Sequence, residues 1–406
     1  MTTVAIVCEY NPFHNGHEYQ IAKIREEFGE DTVIIGIMSG NFTQRGEFAI
    51  ADKGTRAKCA VHGGANLILE LPFPYSMSSA EIFASAAVHI ADSLEIIDYL
   101  SFGSESGDIQ PLTELASLMM SEDFNNAVHT LSNKAEFKGR GYPEIIEEAV
   151  KMLGYDKKSV EFSPNNILAL EYIKALKNTK SNIKPHTIKR VGASYSSNKI
   201  NANGKYESAT AIRNEIMAKN ISALEYVPIA SKQILLNEIK IGAFPCDSSK
   251  LSSAIIASLR LSSPEQPANV IHDCNGGLFY RLREKSFEAN NIDTLLRLCE
   301  TKAYTNARLR RALMYTFFGV TSSDVKSTPL FTQILAFDCE GQAILKKIRK
   351  RCKIAVLTKP SRTDELTSDA MVQKMRADRA DAIFQMTKPE HYDGNYAVRF
   401  TPYVKK

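Results

Sequence analysis

The chain has 406 residues, of which 44% are hydrophobic and 24% charged. This is the size of two domains, or three, of an ordinary soluble protein. No run of roughly 18 apolar residues occurs, which excludes a membrane-spanning helix, and the opening MTTVAIVCEYNPF lacks the basic region of a secretory signal. The net charge of +4 hides a split: residues 1–220 hold 27 Asp and Glu against 22 Lys and Arg, and residues 221–406 hold 28 Lys and Arg against 19 Asp and Glu. A basic half joined to an acidic half suggests a polyanionic partner for the former, with a solvated Lys-rich surface as the plainer alternative. The seven cysteines are scattered without a C-x-x-C pair. That argues against a disulfide framework or zinc knuckle and for a reducing, cytoplasmic setting.

In chain order, TVAIVC (3–8) reads as a strand, His17 to about Phe28 as a helix, and TVIIGIM (32–38) as a second strand. Ala51–His62 reads as a helix, NLILELP (66–72) as a third strand, Ser79–Asp92 as a helix and DYLSFGS (98–104) as a fourth strand. This alternation predicts an α/β fold, a Rossmann-like parallel sheet with helices on both faces and ligands beyond the carboxyl ends of the strands. Residues 111–180 read as mostly helical, with Pro143 and Pro164 at helix starts. HTIKRV (186–191) reads as a strand, followed by a polar loop (192–208) and a helix opening at Ser208 or Thr210. Beyond about 221 the pattern is mainly helical and basic, with KIAVLT (353–358) as one strand. The expected division is therefore a catalytic domain at 1–220 and a helical domain at 221–406.

The segment EYNPFHNGHEYQ (9–20) directly follows the first strand. His14-Asn15-Gly16-His17 opens a helix there, and a helix N-terminus presents unpaired N–H groups and positive potential to an anion. Two imidazoles three residues apart add donors, and Gly16 lets a nucleotide approach the backbone. Such prepaid electrostatics suit transfer at an α-phosphorus, where charge builds on the equatorial oxygens. The alternative is a strand-turn-helix whose histidines only cap. A second signal is ESATAIR (207–213): Ser208 and Thr210 can bond phosphate or cap a helix, and Arg213 can pair with phosphate or remain a surface charge.

NPFHNGH, SGNFTQRGEFAIADKGTRAKCAVHGGANLILELP, FGSESGD, SPNNILALEYIKAL, IKRVGASY and SATAIR occur in that order. Together with TKAYTNARLRRALMY (301–315), they resemble the bacterial tRNA(Met) cytidine acetate ligase family of the H-x-G-H nucleotidyltransferase superfamily. The resemblance implies activation of acetate with ATP as acetyl-adenylate. Acetylation of the wobble cytidine of elongator tRNA(Met) to N4-acetylcytidine then follows. It also implies a nucleotide site at Val7, Cys8, Glu9, Tyr10, Asn11, Pro12, Phe13, His14, Asn15, Gly16, His17, Glu18, Tyr19 and Gln20, then Gly103, Asn165 and Arg190. The superfamily's two-part signature adds Ser208, Thr210 and Arg213. His14 and His17 are the expected catalytic pair. Taken alone, Asn165 suits a helix N-cap and Arg190 a solvated strand end. The chain departs from the family pattern at Gln20, Phe48, Asn66 and Glu207.

Asn41, Gln44 and Arg45 follow the second strand and are candidates to hold the acetate carboxylate, or else form a structural loop. Asp52 and Lys53 look like the opening turn of a helix. Arg308, Arg310, Arg311 and the stretch LKKIRKRCK (345–353) can meet tRNA phosphates or remain solvated. The other histidines lie singly, and Cys8 reads as core. No metal cage is legible, so Mg2+ is expected to arrive on the triphosphate. A small-molecule adenylyltransferase of cofactor biosynthesis would share both motifs but would not need the basic half. A non-catalytic RNA-binding protein would not need them intact. Oligomeric state is not legible.

Overall fold

Five segments form the parallel part of the sheet: the largely buried β1 (Thr3–Cys8), β2 (Val33–Ser39), β3 (Leu67–Leu71) and β4 (Tyr99–Ser104), and the more polar, more exposed β5 (Lys184–Lys189) at its edge. The computed structural model describes residues 1–137, 142–155, 160–191, 206–263, 271–275, 277–302, 304–360 and 363–406. Of the expected polar loop 192–208, residues 192–205 lie outside the described residues. The strand order is β5-β4-β1-β2-β3, every neighbour parallel. Runs such as VIIGIMS and LILEL carry the apolar continuity that a sheet covered on both faces requires. The chain reverses direction of travel across the sheet at β1, so a crevice opens between the carboxyl ends of β1 and β4.

Helix α1 (Asn15–Phe28) and helix α2 (Lys53–His62) cover one face, burying Ile21, Ile24, Ala57 and Val61 against Val4, Ile6 and Ile34. Helix α3 (Ala80–Ser93) and the helices Ile109–Met119 and Pro164–Asn178 cover the other, around Ile35, Leu69 and Leu100. A third core is largely helical, built from residues 246–325 and 377–384, and it takes in Phe42, Phe73 and Met77 from the loops after β2 and β3. The helical layer thus sits on the strand ends where the crevice opens.

The mostly parallel α/β fold agrees with the sequence reading, but the latter half is not helical alone. FTQILAF forms β6 (Phe331–Phe337), antiparallel to β3, and β7 (Ala355–Leu357) and β8 (Tyr403–Val404) pair in parallel with β6. The sheet therefore runs across the expected boundary at 220, with β1–β5 before it and β6–β8 after it. A seven-residue apolar run such as β6 suits a buried helix turn as well as a strand, and β8 has only two residues, so neither carries a clear periodic signal.

The long helix Ser368–Gln385 is tied to the sheet by a buried ion network. Lys53 Nζ lies 2.7 Å from Glu70 and 2.6 Å from Asp381, with all three side chains 3–5% exposed. Asn41 completes it, donating to Asp381 at 2.8 Å and accepting the Lys53 backbone N–H at 2.7 Å. Burial pulls the Lys53 pKa down, but the Asp381 and Glu70 carboxylates outweigh it and hold the ammonium above its usual range. Lys53→Met leaves two carboxylates buried without a counter-charge. The expected loss is about 3–5 kcal/mol of stability, read as a lower urea midpoint by circular dichroism. An unchanged midpoint would show that the network adds no stability.

Candidate functional site

Where β1 ends, Tyr10 turns the chain in the left-handed region at φ 47° and Asn11 precedes Pro12 in a cis peptide. Asn11 is anchored from both sides: its Oδ1 accepts the Ile50 N–H at 2.8 Å and its backbone oxygen accepts from Arg213 Nη1 at 2.9 Å. Phe13 is buried against Gly63, where an added Cβ would lie 2.2 Å from the ring. This packing fixes the entry into α1.

His14 is the N-cap of α1, and the two histidines form a reciprocal capping box. The Gly16 N–H donates to His14 Nδ1 at 3.0 Å, and the His14 N–H donates to His17 Nδ1 at 3.2 Å. The rings stack with centroids 3.7 Å apart. Because both Nδ1 atoms accept hydrogen bonds, each neutral ring carries its proton on Nε2. Burial, then the positive Arg190 and Arg213, bring the His14 pKa down to about 3. Burial, then His14 and Arg190, drive that of His17 well down too. Gly16 has a nearer reason than nucleotide approach: a Cβ there would lie 2.9 Å from His14 Cε1.

The crevice between β1 and β4 is lined by Val7, Cys8, Glu9, Tyr10, Asn11, His14, Gly16, His17, Tyr19 and Gln20, with Gln44, Gly103, Arg190, Ser208, Thr210 and Arg213. Pro12, Phe13, Asn15 and Glu18 belong to the same segment but are not part of the lining. Pro12 and Phe13 are buried and Glu18 is exposed. Cys8 is at the buried end of β1, its thiol pushed up by burial, and all seven cysteines are free. Glu9 accepts the Gln44 N–H at 2.8 Å, and burial raises its pKa.

Gly103 gives room to the stem of Arg190, since a Cβ would lie 3.1 Å from Arg190 Cγ. Asn165 is not the helix cap, which is Ser163. It accepts from Arg190 at 3.2 Å and donates to Glu105 at 2.9 Å, so it positions the guanidinium from outside the lining. Ser208 caps the helix Ala209–Met217, accepting the Ala211 N–H at 3.0 Å. Thr210 accepts from Arg213 at 3.2 Å.

The three carboxylate candidates separate. Gln44 lines the crevice. Arg45 is half-buried beside it, close enough for its charge to oppose the burial that raises the Glu9 pKa. Asn41 spends both ends of its amide on Lys53 and Asp381 and is buried away from the lining. Asp52 caps α2, accepting the Thr55 N–H at 2.8 Å. Asn66 is bonded to Ile34 and Asp338 at the start of β3, far from the strand ends that build the crevice.

Of the basic residues, Arg310 and Arg311 sit against the Gln44–Glu47 loop. Gly46, at φ 77°, leaves no room for a Cβ against their backbone, and Arg311 donates to Gln44 O at 3.5 Å. Arg308 pairs with Asp273 at 2.9 Å. The 345–353 stretch lies mainly on the helix Cys339–Arg351, whose apolar side packs Ile344, Leu345 and Ile348. His62, His186 and His272 have structural partners in Tyr403, Ser101 with Glu27, and Ser322. Residue-by-residue reading missed Glu47 and Glu105, although both fall inside segments that carry the family resemblance, and it gave Lys53 only as part of a helix's opening turn, where α2 does begin. Among the described residues no three His, Cys, Asp or Glu side chains converge as a metal cluster, and no helix is long and apolar enough to cross a membrane.

The low pKa of His14 has a consequence for stability. The unfolded chain takes up a proton near pH 6.5, whereas the folded chain resists it down to about pH 3. Stability therefore falls as pH drops through that window. Asn is also a good N-cap, so His14→Asn keeps the helix start and removes this proton uptake. Urea unfolding at pH 7 and pH 5 should show a smaller acid destabilisation in the variant than in the wild type. An equal loss in both would mean that His14 is not held neutral.

Residues 1–396 match the HIGH Nucleotidyl Transferase family model. The tRNA(Met) cytidine acetate ligase of Thermoanaerobacter sp. (strain X514) is 34% identical over 380 residues, covering 92% of this chain and 93% of that one. The enzyme of the same name from Caldanaerobacter subterraneus subsp. tengcongensis is 37% identical over 367 residues, covering 88% and 89%. The crystal structure of apo Thermotoga maritima TmcAL superimposes with a TM-score of 0.92 at 30% identity, covering 100% of this chain and 99% of that one. The same protein bound with alpha-thio ATP gives 0.90 at 30% identity, with the same coverage. With the H-x-G-H capping box at the mouth of the crevice and similarity along nearly the whole chain, this protein belongs to the tRNA(Met) cytidine acetate ligase family of HIGH nucleotidyltransferases.

Proposed function

We propose that this protein is an ATP-dependent ligase that activates acetate as acetyl-adenylate and transfers the acetyl group to the wobble cytidine of elongator tRNA(Met), giving N4-acetylcytidine. The observation that carries the ATP half is the capping box. It leaves two neutral imidazoles lining the crevice, each with its Nε2–H available as a donor, at the positive end of α1. An acetate oxygen attacks the α-phosphorus and pyrophosphate leaves. The His14 and His17 donors, with Arg190 and Arg213 on the walls, stabilise the charge that grows on the phosphoryl oxygens. Gln44 and Arg45, beside Glu9, are placed to hold the acetate carboxylate; Asn41 is left to its structural role.

Mg2+ comes with the triphosphate as part of the substrate. The basic helical layer around Arg310 and Arg311, next to the crevice, is the surface for tRNA phosphates. Seven free thiols suit the reducing cytoplasm.

The decisive assay uses purified protein, ATP, Mg2+ and radiolabelled acetate, with and without unmodified elongator tRNA(Met). Label is expected in N4-acetylcytidine of the nucleoside digest, dependent on both ATP and RNA. Pyrophosphate release with another carboxylate or acceptor and no label in RNA would move the protein to a small-molecule adenylyltransferase. His14→Asn and His17→Ala should each lower adenylate formation by about 100- to 1000-fold without loss of fold. Wild-type rates in both would remove the histidines from the reaction.

A further inference from the structure

Behind the nucleotide crevice lies a second cleft, between the Gly46–Ile50 segment, the helix Ala209–Met217 and the helical layer of the latter half. Thr210 and Arg213 line both spaces, so they share a wall. In this cleft the Glu47 carboxylate stands between two guanidinium groups, 3.4 Å from Arg213 Nη2 and 3.9 Å from Arg310 Nε. Both distances exceed the 2.7–2.9 Å or so of a close charge-assisted bond, and all three side chains are 19–30% exposed. Phe48, Met217 and Met314 provide apolar faces beside them.

We propose that this second cleft receives the acceptor base, a cytosine splayed out of single-stranded RNA. Its exocyclic amine lies on Glu47, and its ring acceptors N3 and O2, which follow the amine along one edge, face the Arg310 guanidinium on one side of that carboxylate. The inference rests on the acetyl-transfer reading above. Cytosine presents an amine donor beside two acceptors, N3 and O2, and a carboxylate next to guanidinium donors is the complement of that edge. Uracil places an acceptor where cytosine has its amine, so Glu47 rejects it by leaving two acceptors face to face. Unstacked bases are held in proteins by flat or apolar side chains, which Phe48 and the two methionines supply.

The shared wall brings the amine toward the adenylate. The amine nitrogen forms a bond to the acetyl carbonyl carbon, the bond from that carbon to the phosphate oxygen breaks, and AMP leaves with the electron pair. One amine proton passes to the Glu47 carboxylate.

The two half-reactions separate this role from the ATP site. Glu47→Ala should keep acetate-dependent ATP–pyrophosphate exchange within about threefold of wild type. It should lower acetyl transfer to tRNA about 100-fold or more. Met217→Trp narrows the cleft from a position outside the nucleotide crevice and leaves both ion pairs in place. It should raise the KM for tRNA at least about tenfold with exchange unchanged. The inference is overturned if both variants transfer acetyl at wild-type rates, or if exchange falls in step with transfer. Absence of acetate-dependent exchange in the wild type overturns the acetyl-transfer reading itself.

Discussion

The guanidinium of Arg56, 1% exposed in the first turns of α2, holds together the strand ends on which the site is built. Its Nη1 donates to the backbone oxygens of Glu9 and Ser39, its Nη2 to that of Gly40, and its Nε to Ala51 O at 2.9 Å. Glu9 and Ser39 are the residues where β1 and β2 give way to loops. Their carbonyls have no ladder partner, and burial without a donor costs about 1–3 kcal/mol each. A lysine offers one point charge and cannot span these acceptors; the planar fork of arginine can. Burial pulls the Arg56 pKa down, and the nearby Asp52 and Glu9 carboxylates counter it.

Around this centre the last quarter of the chain acts as a brace. Lys388 pairs with Asp52 at 2.7 Å, Tyr396 donates to the same carboxylate at 3.4 Å, and Asp381 meets Lys53. Three consecutive contacts thus fasten the start of α2 to residues more than 300 positions away. The loop between β2 and α2, which carries Gln44 and Glu47, hangs between Arg56 on one side and Arg310 and Arg311 on the other. Its shape is a property of the assembled molecule, so the catalytic half is not expected to keep that geometry without the helical layer.

This distribution explains what was legible beforehand. The first four parallel strands announced themselves because each is a largely apolar run with a helix between it and the next, and His14 to His17 stood at the carboxyl end of the first, where such a fold binds anions. Ser208 was readable as a cap, and Asp52 as part of a helix's opening turn, because helix starts depend on neighbours two or three residues away. What failed is long-range. Nothing local in Asn41 tells that its amide will be used up by Asp381, 340 residues on. Nor does Asn165 show from sequence that it supports Arg190 rather than caps its own helix. The family resemblance marked Asn165 and Arg190 as belonging to one site; only the β4–β5 pairing, with Gly103 opposite Ile188, shows how they meet.

The same locality accounts for the histidines. A helix N-terminus already offers backbone donors to a phosphate, yet at α1 the Gly16 N–H is taken up by His14 and the His14 N–H by His17. The gain lies in position. The backbone donor is traded for an imidazole Nε2–H several ångströms further out, in a ring fixed by its own hydrogen bond and by stacking at 3.7 Å. Two stacked rings beside Arg190 and Arg213 also resist protonation. Their donors are therefore neutral and do not change character between pH 6 and 8 or so. A lysine at either position would bring a full charge and bind the ground-state triphosphate more tightly. Neutral, preoriented donors gain most as charge builds during transfer, which is the difference that accelerates a reaction rather than merely holding its substrate.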